Sequence, residues 1–264
     1  VSFWFDIYTL YDSTHFVIHD TEYPWIVYDV VQTQDIMDQP RVQWLNIRDA
    51  QKRAEKRKDQ IKALLNSLSR KFAQTNSPLL SPEESKFSEL LSQVKGNRKQ
   101  IFKNAINSIR IQIGQRNYFL NGLKEGAQFI PTMEQIFREK GLPTELVRLP
   151  LVESSFNIKA HSRVGASGVW QIMPQTGRVW LMVNDQIDER RSPLKATKVA
   201  ANILMQDHLI LKKWPLAITS YNHGVGSLLK AVHKYKTDDI ERIIELNDAS
   251  SFKFASSNFF ACFL

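Results

Sequence analysis

"LVESSFNIKAHSRVGASGVWQIMPQTG", residues 151–177, holds a single carboxylate, Glu153, in a chain that carries 27 Asp and Glu. That acid stands among Leu151, Val152 and Phe156. A carboxylate loses hydration when apolar groups bury it, so its pKa rises. A Glu held partly protonated near neutrality can give a proton to a leaving oxygen and take one back later. Downstream, Gly165 and Gly168 permit close approach of backbone to a ligand. Ser162 and Gln171 offer hydrogen bonds, and Trp170 offers an apolar face. Sugars are bound by such mixtures. A second reading needs no ligand: a Glu that caps or ion-pairs at a helix end, with glycines for tight packing. Composition alone leaves both open.

The totals bound the rest. A length of 264 residues predicts one or two domains. With 43% hydrophobic and 11% aromatic residues, the chain can build a sizeable core and is unlike a disordered protein. No apolar run reaches the length of a membrane-spanning helix. The start, "VSFWFDIYTLYD", lacks an initiator Met, a basic leader region and a signal-like apolar stretch. It is expected to be a processed or truncated end, with any signal peptide lost from view. One cysteine, Cys262, excludes an internal disulfide and leaves the compartment undecided.

Net charge is +8, and the excess is local. Residues 41–116 hold 17 Lys+Arg against 6 Asp+Glu, a net of +11, which leaves −3 for the remainder. A basic helical region suits an anionic partner: nucleic acid, lipid head groups or cell-wall polymer. It equally suits a solvated helix face.

Residues 3–31 read as extended. "FWFDIYTLY", "FVIHD" and "IVYDVV" are aromatic and β-branched runs separated by turn-rich segments, which predicts a small β-meander of two or three strands. From Arg41 the pattern changes to a long basic helix, with Trp44, Ile47, Ile61, Leu64, Leu65 and Leu68 as its apolar positions. "TNSPLLSP" ends it. Ser81 then caps a new helix, Pro82 fits the first helical position and Glu84 completes a capping box. This helix is expected to run to about Gln112. From Tyr118 the chain reads as short helices. One ends at Gly141, one opens at Pro143 with Glu153 near its end, and one spans 195–213. The expected organisation is a meander plus basic helices over 1–115 and a helical domain over 116–264: mainly α, or α+β overall.

"ESSF", "GASGVWQIMPQTG" and "SYNHG" occur in this order. Together they resemble the three motifs of the soluble-lytic-transglycosylase (SLT) family, glycoside hydrolase family 23, whose fold is that of goose-type lysozyme. "GLPTELVRLPLVES", "DERRSP" and "WPLAITSYNHG" resemble its membrane-bound lytic murein transglycosylase D branch, as do stretches near both ends of the chain. The resemblance implies an enzyme that cleaves peptidoglycan at the β-1,4 bond between N-acetylmuramic acid and N-acetylglucosamine. It implies 1,6-anhydromuramic ends, no cofactor and no metal. The partner would be peptidoglycan glycan strands, with no role for nucleic acid. The place would be the cell envelope, in the periplasm. Substrate would lie in a groove between the helix ending at Glu153 and the segment carrying Tyr221.

Residue by residue, the resemblance makes Glu153 the general acid/base and Tyr221 its catalytic aid. It makes Ser162, Gln171, Met173 and Asn222 substrate-binding. The chain departs from the commoner motif at Ser220 and His223, where Ala is usual. His223 is expected to be structural or solvent-facing. In "DERRSP", Asp188 and Glu189 are expected to form a salt-bridged loop with Arg190 and Arg191; a second catalytic carboxylate is the other reading. No His/Cys cluster has metal-ligand spacing, and no phosphate-binding loop or serine nucleophile elbow appears. Two rivals stay open: a hydrolytic lysozyme on the same scaffold, and a non-catalytic wall-binding protein. Exo or endo action, preference for acetylated or deacetylated glycan, and oligomeric state are not read from the sequence.

Overall fold

The computed structural model describes residues 1–247 and 252–264. It is mainly α, with one small antiparallel sheet. The chain divides into two compact units, Ser2–Asn117 and Tyr118–Leu264. No helix among the described residues is long and apolar enough to cross a membrane.

The first unit opens with helix α1 (Ser2–Thr9), not with a strand. Its buried residues are Phe3, Trp4 and Ile7, while Phe5 is exposed. That spacing is a helical face, and it overrides the β preference of the aromatic side chains. Strands β1 (His15–Asp20) and β2 (Val27–Gln32) pair antiparallel, with Phe16 opposite Val31. The sheet's third strand comes from far along the chain, so the order is β2-β1-β3 and not a simple meander. A short helix α2 (Gln34–Met37) leads into α3 (Gln43–Gln74). Helix α3 buries Ala50, Ala54, Ile61, Leu65 and Leu68, an i, i+4, i+7 stripe. Trp44 and Ile47, expected on that stripe, are exposed. The small side chains Ala50 and Ala54 pack with Phe16 and Ile36 instead.

Helix α4 (Pro82–Leu90) begins with a complete capping box: the Glu84 backbone donates to Ser81 Oγ at 3.2 Å, and the Ser81 backbone donates to Glu84 Oε2 at 2.8 Å. The helix does not run on to Gln112. Gly96, at φ 136°, breaks the path, and Asn97 caps α5 (Arg98–Ser108). Strand β3 (Ile109–Ile113) follows directly, pairing with β1 so that Ile111 faces Ile18. Its alternating "IRIQI" is a period-two pattern of β-branched residues, which explains why the helix stops.

The second unit is helical throughout its regular structure: α6 (Arg116–Gly126), α7 (Ile130–Glu139), α8 (Leu149–Ser154), α9 (Pro174–Gly177), α10 (Pro193–Leu211), α11 (Trp214–His223), α12 (Val225–Tyr235), α13 (Ile240–Leu246) and α14 (Phe254–Phe263). A 3-10 turn over Thr144–Arg148 feeds α8, so the path from Glu145 to Glu153 is not one α-helix. The core gathers Met133 and Phe137 of α7, Leu149 and Leu151 of α8, and Val199, Ala200 and Leu204 of α10 around Trp170. Trp170 is 0% exposed, stacks on Phe137 at 5.9 Å and donates from Nε1 to Thr197 Oγ1 at 2.9 Å. It is a core residue and offers no face to a ligand.

Candidate active site

Glu153 sits in the last turn of α8, a helix buried through Leu149, Pro150 and Leu151. The turn that follows is tight: Ser155 at φ 50° and Phe156 at φ 54° both adopt the left-handed region. Two features hold it. Ser154 Oγ donates to the Val169 carbonyl at 2.9 Å. Gly122 and Gly126, one turn apart on α6, let that helix lie directly against it. A Cβ at Gly122 would meet the Ser155 carbonyl at 2.8 Å, and one at Gly126 would meet the Phe156 ring at 3.0 Å. The rigid setting fixes where the Glu153 carboxyl stands.

That carboxyl has no hydrogen bond or ion pair among the described residues. The side chain keeps partial solvent access, yet burial lifts its pKa from 4.5 to about 8. Loss of hydration is the cause, so the neutral acid is the favoured form at neutrality.

Tyr221, on α11, donates its hydroxyl proton to the Trp170 carbonyl at 2.8 Å. Burial raises its pKa well above the ordinary tyrosine value, and the charges of Glu153 and Asp207 raise it further. The phenol therefore stays neutral and feels the ionisation of Glu153. Gln171, next to Trp170, holds a left-handed φ of 47°. Its Nε2 donates to the Gly168 carbonyl at 2.8 Å, closing the loop on itself.

Gln171, Met173 and Tyr221 line one cavity of about 210 Å³, together with Thr176, Asp207 and Ser220. Glu153, Ser162 and Asn222 are not on its walls. Ser162 is built into the loop: its Oγ accepts from the Ala166 backbone at 2.9 Å and its backbone N–H donates to the Ala166 carbonyl at 2.9 Å. Asn222 is exposed, and its Oδ1 accepts from Ser256 Oγ at 3.0 Å. His223 lies edge-on to Phe252 at 4.9 Å, with Nδ1 3.2 Å from Ser256 Oγ, which is a structural place.

The loop is anchored by "DERRSP". Arg190, 4% exposed, pairs with Asp188 at 2.8 Å and donates to the carbonyls of Gly165 at 2.7 Å and Ile172 at 2.9 Å. Gly168, at φ 77°, has its Cα so close to this segment that a Cβ would come within 1.9 Å of the Arg190 carbonyl. Gly168 thus serves packing of the chain on itself. The Arg190 guanidinium holds the Asp188 carboxyl below its ordinary range, and Lys195 does the same for Glu189. Neither acid is free for proton transfer. Among the described residues no group of three or more His, Cys, Asp or Glu gathers as a metal site.

Sequence reasoning missed Asp207 and its contact with Ser220. The signal was present: Asp207 falls three residues after Leu204 and four before Leu211, on the buried stripe of α10.

Residues 133–244 match the family model described as Transglycosylase SLT domain. Over 101 residues, 38% of this chain, the sequence is 37% identical to the Membrane-bound lytic murein transglycosylase D of Escherichia coli (strain K12), of which that stretch is 22%. Over 115 residues, 43% of this chain, it is 31% identical to the Putative tributyltin chloride resistance protein of Alteromonas sp. (strain M-1), of which that stretch is 56%. The chain therefore spans less than two thirds of either relative.

Proposed function

From the transglycosylase SLT domain at residues 133–244, we propose that this protein cleaves peptidoglycan at the β-1,4 bond between N-acetylmuramic acid and N-acetylglucosamine. The observation that carries the reading is Glu153: an acid without an ion pair or hydrogen bond among the described residues, lifted to about 8 by burial, beside a neutral Tyr221. The catalytic part is the helical domain from residue 116 onward, and it works in the cell envelope, on the periplasmic side.

Glu153, protonated, gives its proton to the glycosidic oxygen as the bond from the muramic C1 breaks. Positive charge develops at C1, and the sugar's own acetamido oxygen closes on it. Glu153, now a carboxylate, takes the proton of the same sugar's 6-hydroxyl as O6 bonds to C1 and the acetamido oxygen leaves C1, restoring the amide. The acid is restored and no water is consumed. Tyr221 stays neutral throughout, and its bond to the Trp170 carbonyl orients it beside the acid. Gln171 and Met173 contact the glycan in the cavity, and Ser162 and Asn222 contact it outside that cavity's walls. The engagement of Asp188 by Arg190 and of Glu189 by Lys195 supports a one-acid mechanism.

The test is Glu153→Gln, which keeps shape and removes the transferable proton. General acid/base catalysis contributes roughly 10²–10⁴-fold, so release of soluble fragments from purified sacculi should fall by at least about 10²-fold while the fold is retained. Retention of more than a third of the activity, with deamidation excluded, overturns the assignment.

A further inference from the structure

Asp207 is 6% exposed and lines the cavity beside Tyr221 and Gln171, yet the one-acid reaction gives it no part. Its Oδ2 lies 2.6 Å from Ser220 Oγ, and the same Ser220 Oγ lies 2.7 Å from the Ala217 carbonyl. A hydroxyl has one proton to donate. If Asp207 were ionised, the single Ser220 proton would have to be shared between two acceptors at short distance, a weaker three-centre arrangement. If Asp207 carries a proton on Oδ2, both are satisfied: Asp207 donates to Ser220, and Ser220 donates to Ala217. Burial acts in the same direction and outweighs the opposing pull of the Ser220 contact, so the Asp207 carboxyl lies above its ordinary range.

The remaining oxygen, Oδ1, has no hydrogen-bond partner among the described residues. It is also not among the fully buried side-chain atoms left without a partner, so it keeps some exposure, and Asp207 is one of the residues that line the cavity. A neutral carboxylic acid seated this way presents a carbonyl oxygen, an acceptor without charge. Unpaired acceptors at the edge of a pocket are costly to leave unmet once a ligand displaces water. Amide N–H and hydroxyl groups of a glycan supply uncharged donors, and Gln171 and Tyr221 stand beside the same space.

We propose that Asp207, held by Ser220 as a neutral acid, is a specificity-determining residue whose Oδ1 accepts a hydrogen bond from a glycan N–H or O–H in this cavity. The proposal rests on the reading of the second unit as a peptidoglycan-cleaving domain. It also gives the departure from the commoner motif a physical role, because an Ala at position 220 could neither accept the Asp207 proton nor fix Oδ2.

The experiment titrates a tetrasaccharide of alternating N-acetylglucosamine and N-acetylmuramic acid into the Glu153→Gln protein by calorimetry. Binding is compared with Asp207→Asn and with the pair Asp207→Leu, Ser220→Ala in the same background, each checked for an unchanged fold by circular dichroism. Asn keeps Oδ1 and donates from Nδ2 to Ser220, so it should retain affinity within about twofold. The Leu/Ala pair removes the acceptor without leaving an orphan hydroxyl. It should weaken binding about 3–10-fold, the worth of one neutral hydrogen bond. A tetrasaccharide with hydrogen in place of the acetamido groups identifies the donor: a loss seen only with the acetamido sugar assigns the amide N–H, and an equal loss with both assigns a hydroxyl. Asparagine weakening binding as much as the Leu/Ala pair would show an ionised carboxylate and overturn the proposal. Unchanged binding by the Leu/Ala pair would overturn it as well. Absence of binding by the parent protein would instead overturn the glycan reading on which it stands.

Discussion

The hydroxyl of Tyr221 and the carbonyl of Trp170 meet at 2.8 Å across 51 residues of chain. One partner lies on α11 and the other in the loop that presents Gln171 and Met173. The bond pins the loop to the helix at the point where the phenol feels the charge of Glu153. Tyr221→Phe removes only that hydroxyl. A buried hydrogen bond is worth about 1 kcal/mol net, so thermal or urea unfolding should show a loss of about that size. Turnover on sacculi should fall about tenfold or more, because a placed polar group near the reacting atoms typically supplies such factors. Loss of stability with full turnover would make Tyr221 a structural tie alone.

The state of Glu153 can be read from stability as a function of pH. Its folded pKa, about 8, lies above the ordinary 4.5. A group with a raised pKa binds a proton in the folded state that the unfolded chain has already released. Its contribution is therefore fully present below about 4.5 and is lost as pH rises toward 8. Glu153→Gln never ionises. The variant should gain on the parent steadily between pH 5 and pH 8, and the difference should flatten below pH 4. Urea titrations at four or five pH values measure it; a difference that does not change over this range means an ordinary carboxyl.

How far the fold could be read in advance depended on whether local chemistry or distant partners decided it. Ser81, Pro82 and Glu84 specify a helix start within four residues, and the capping box is there. Gly141 turns the chain at φ 68° after α7 as a cap should. Strand β3 had a local signal in the alternation of "IRIQI", but its partner, β1, lies some 90 residues earlier, and the sequence alone does not announce that pairing. The helix at residues 2–9 was hidden by aromatic composition, although Phe3, Trp4 and Ile7 carried the helical period. In the site, Gln171, Met173 and Tyr221 could be named from their motifs and line one cavity. The burial of Trp170 and the close approach allowed by Gly122 and Gly126 depend on which surfaces meet, and sequence spacing alone does not say that.

The basic region is partly neutralised from within. Arg53 pairs with Asp35 at 2.7 Å, Arg57 with Asp29 at 2.6 Å and Glu83 at 3.1 Å, and Lys71 with Glu84 at 2.7 Å. Lys52 and Lys56 are exposed, one turn apart on α3, and make no ion pair among the described residues. They are the cations to test for a hold on the anionic wall, since reversing Arg53 or Arg57 would also break structural pairs. Lys52→Glu with Lys56→Glu should reduce co-sedimentation with sacculi, and added salt should shrink the difference because screening shortens to about 8 Å near physiological ionic strength. Turnover of small soluble fragments should be unaffected. A collapse of that turnover in a folded variant would assign the region a part in the site, and no change in either measurement would leave it a solvated helix face.

The product follows from the supply of carboxylates. The common two-carboxylate glycosidases that use water place a second Asp or Glu at the scissile bond, about 5–5.5 Å from the acid for retention or roughly 6.5–9.5 Å for inversion. Asp188 is held by the Arg190 guanidinium and Glu189 by Lys195, and both carboxyls are pushed down, away from proton transfer. Asp207, the buried acid nearest in kind, shares its Oδ2 with Ser220. In the proposed one-acid mechanism, the charge at C1 is met by the substrate's own acetamido group and closed by its own 6-hydroxyl. Mass spectrometry of digested sacculi should therefore find 1,6-anhydromuramic ends, each lighter by one water than the hydrolytic product. In water enriched with heavy oxygen these ends should carry no label. Reducing muramic ends that take up the label would identify a lysozyme, and Asp188→Asn and Glu189→Gln would then be the variants in which to look for the missing base.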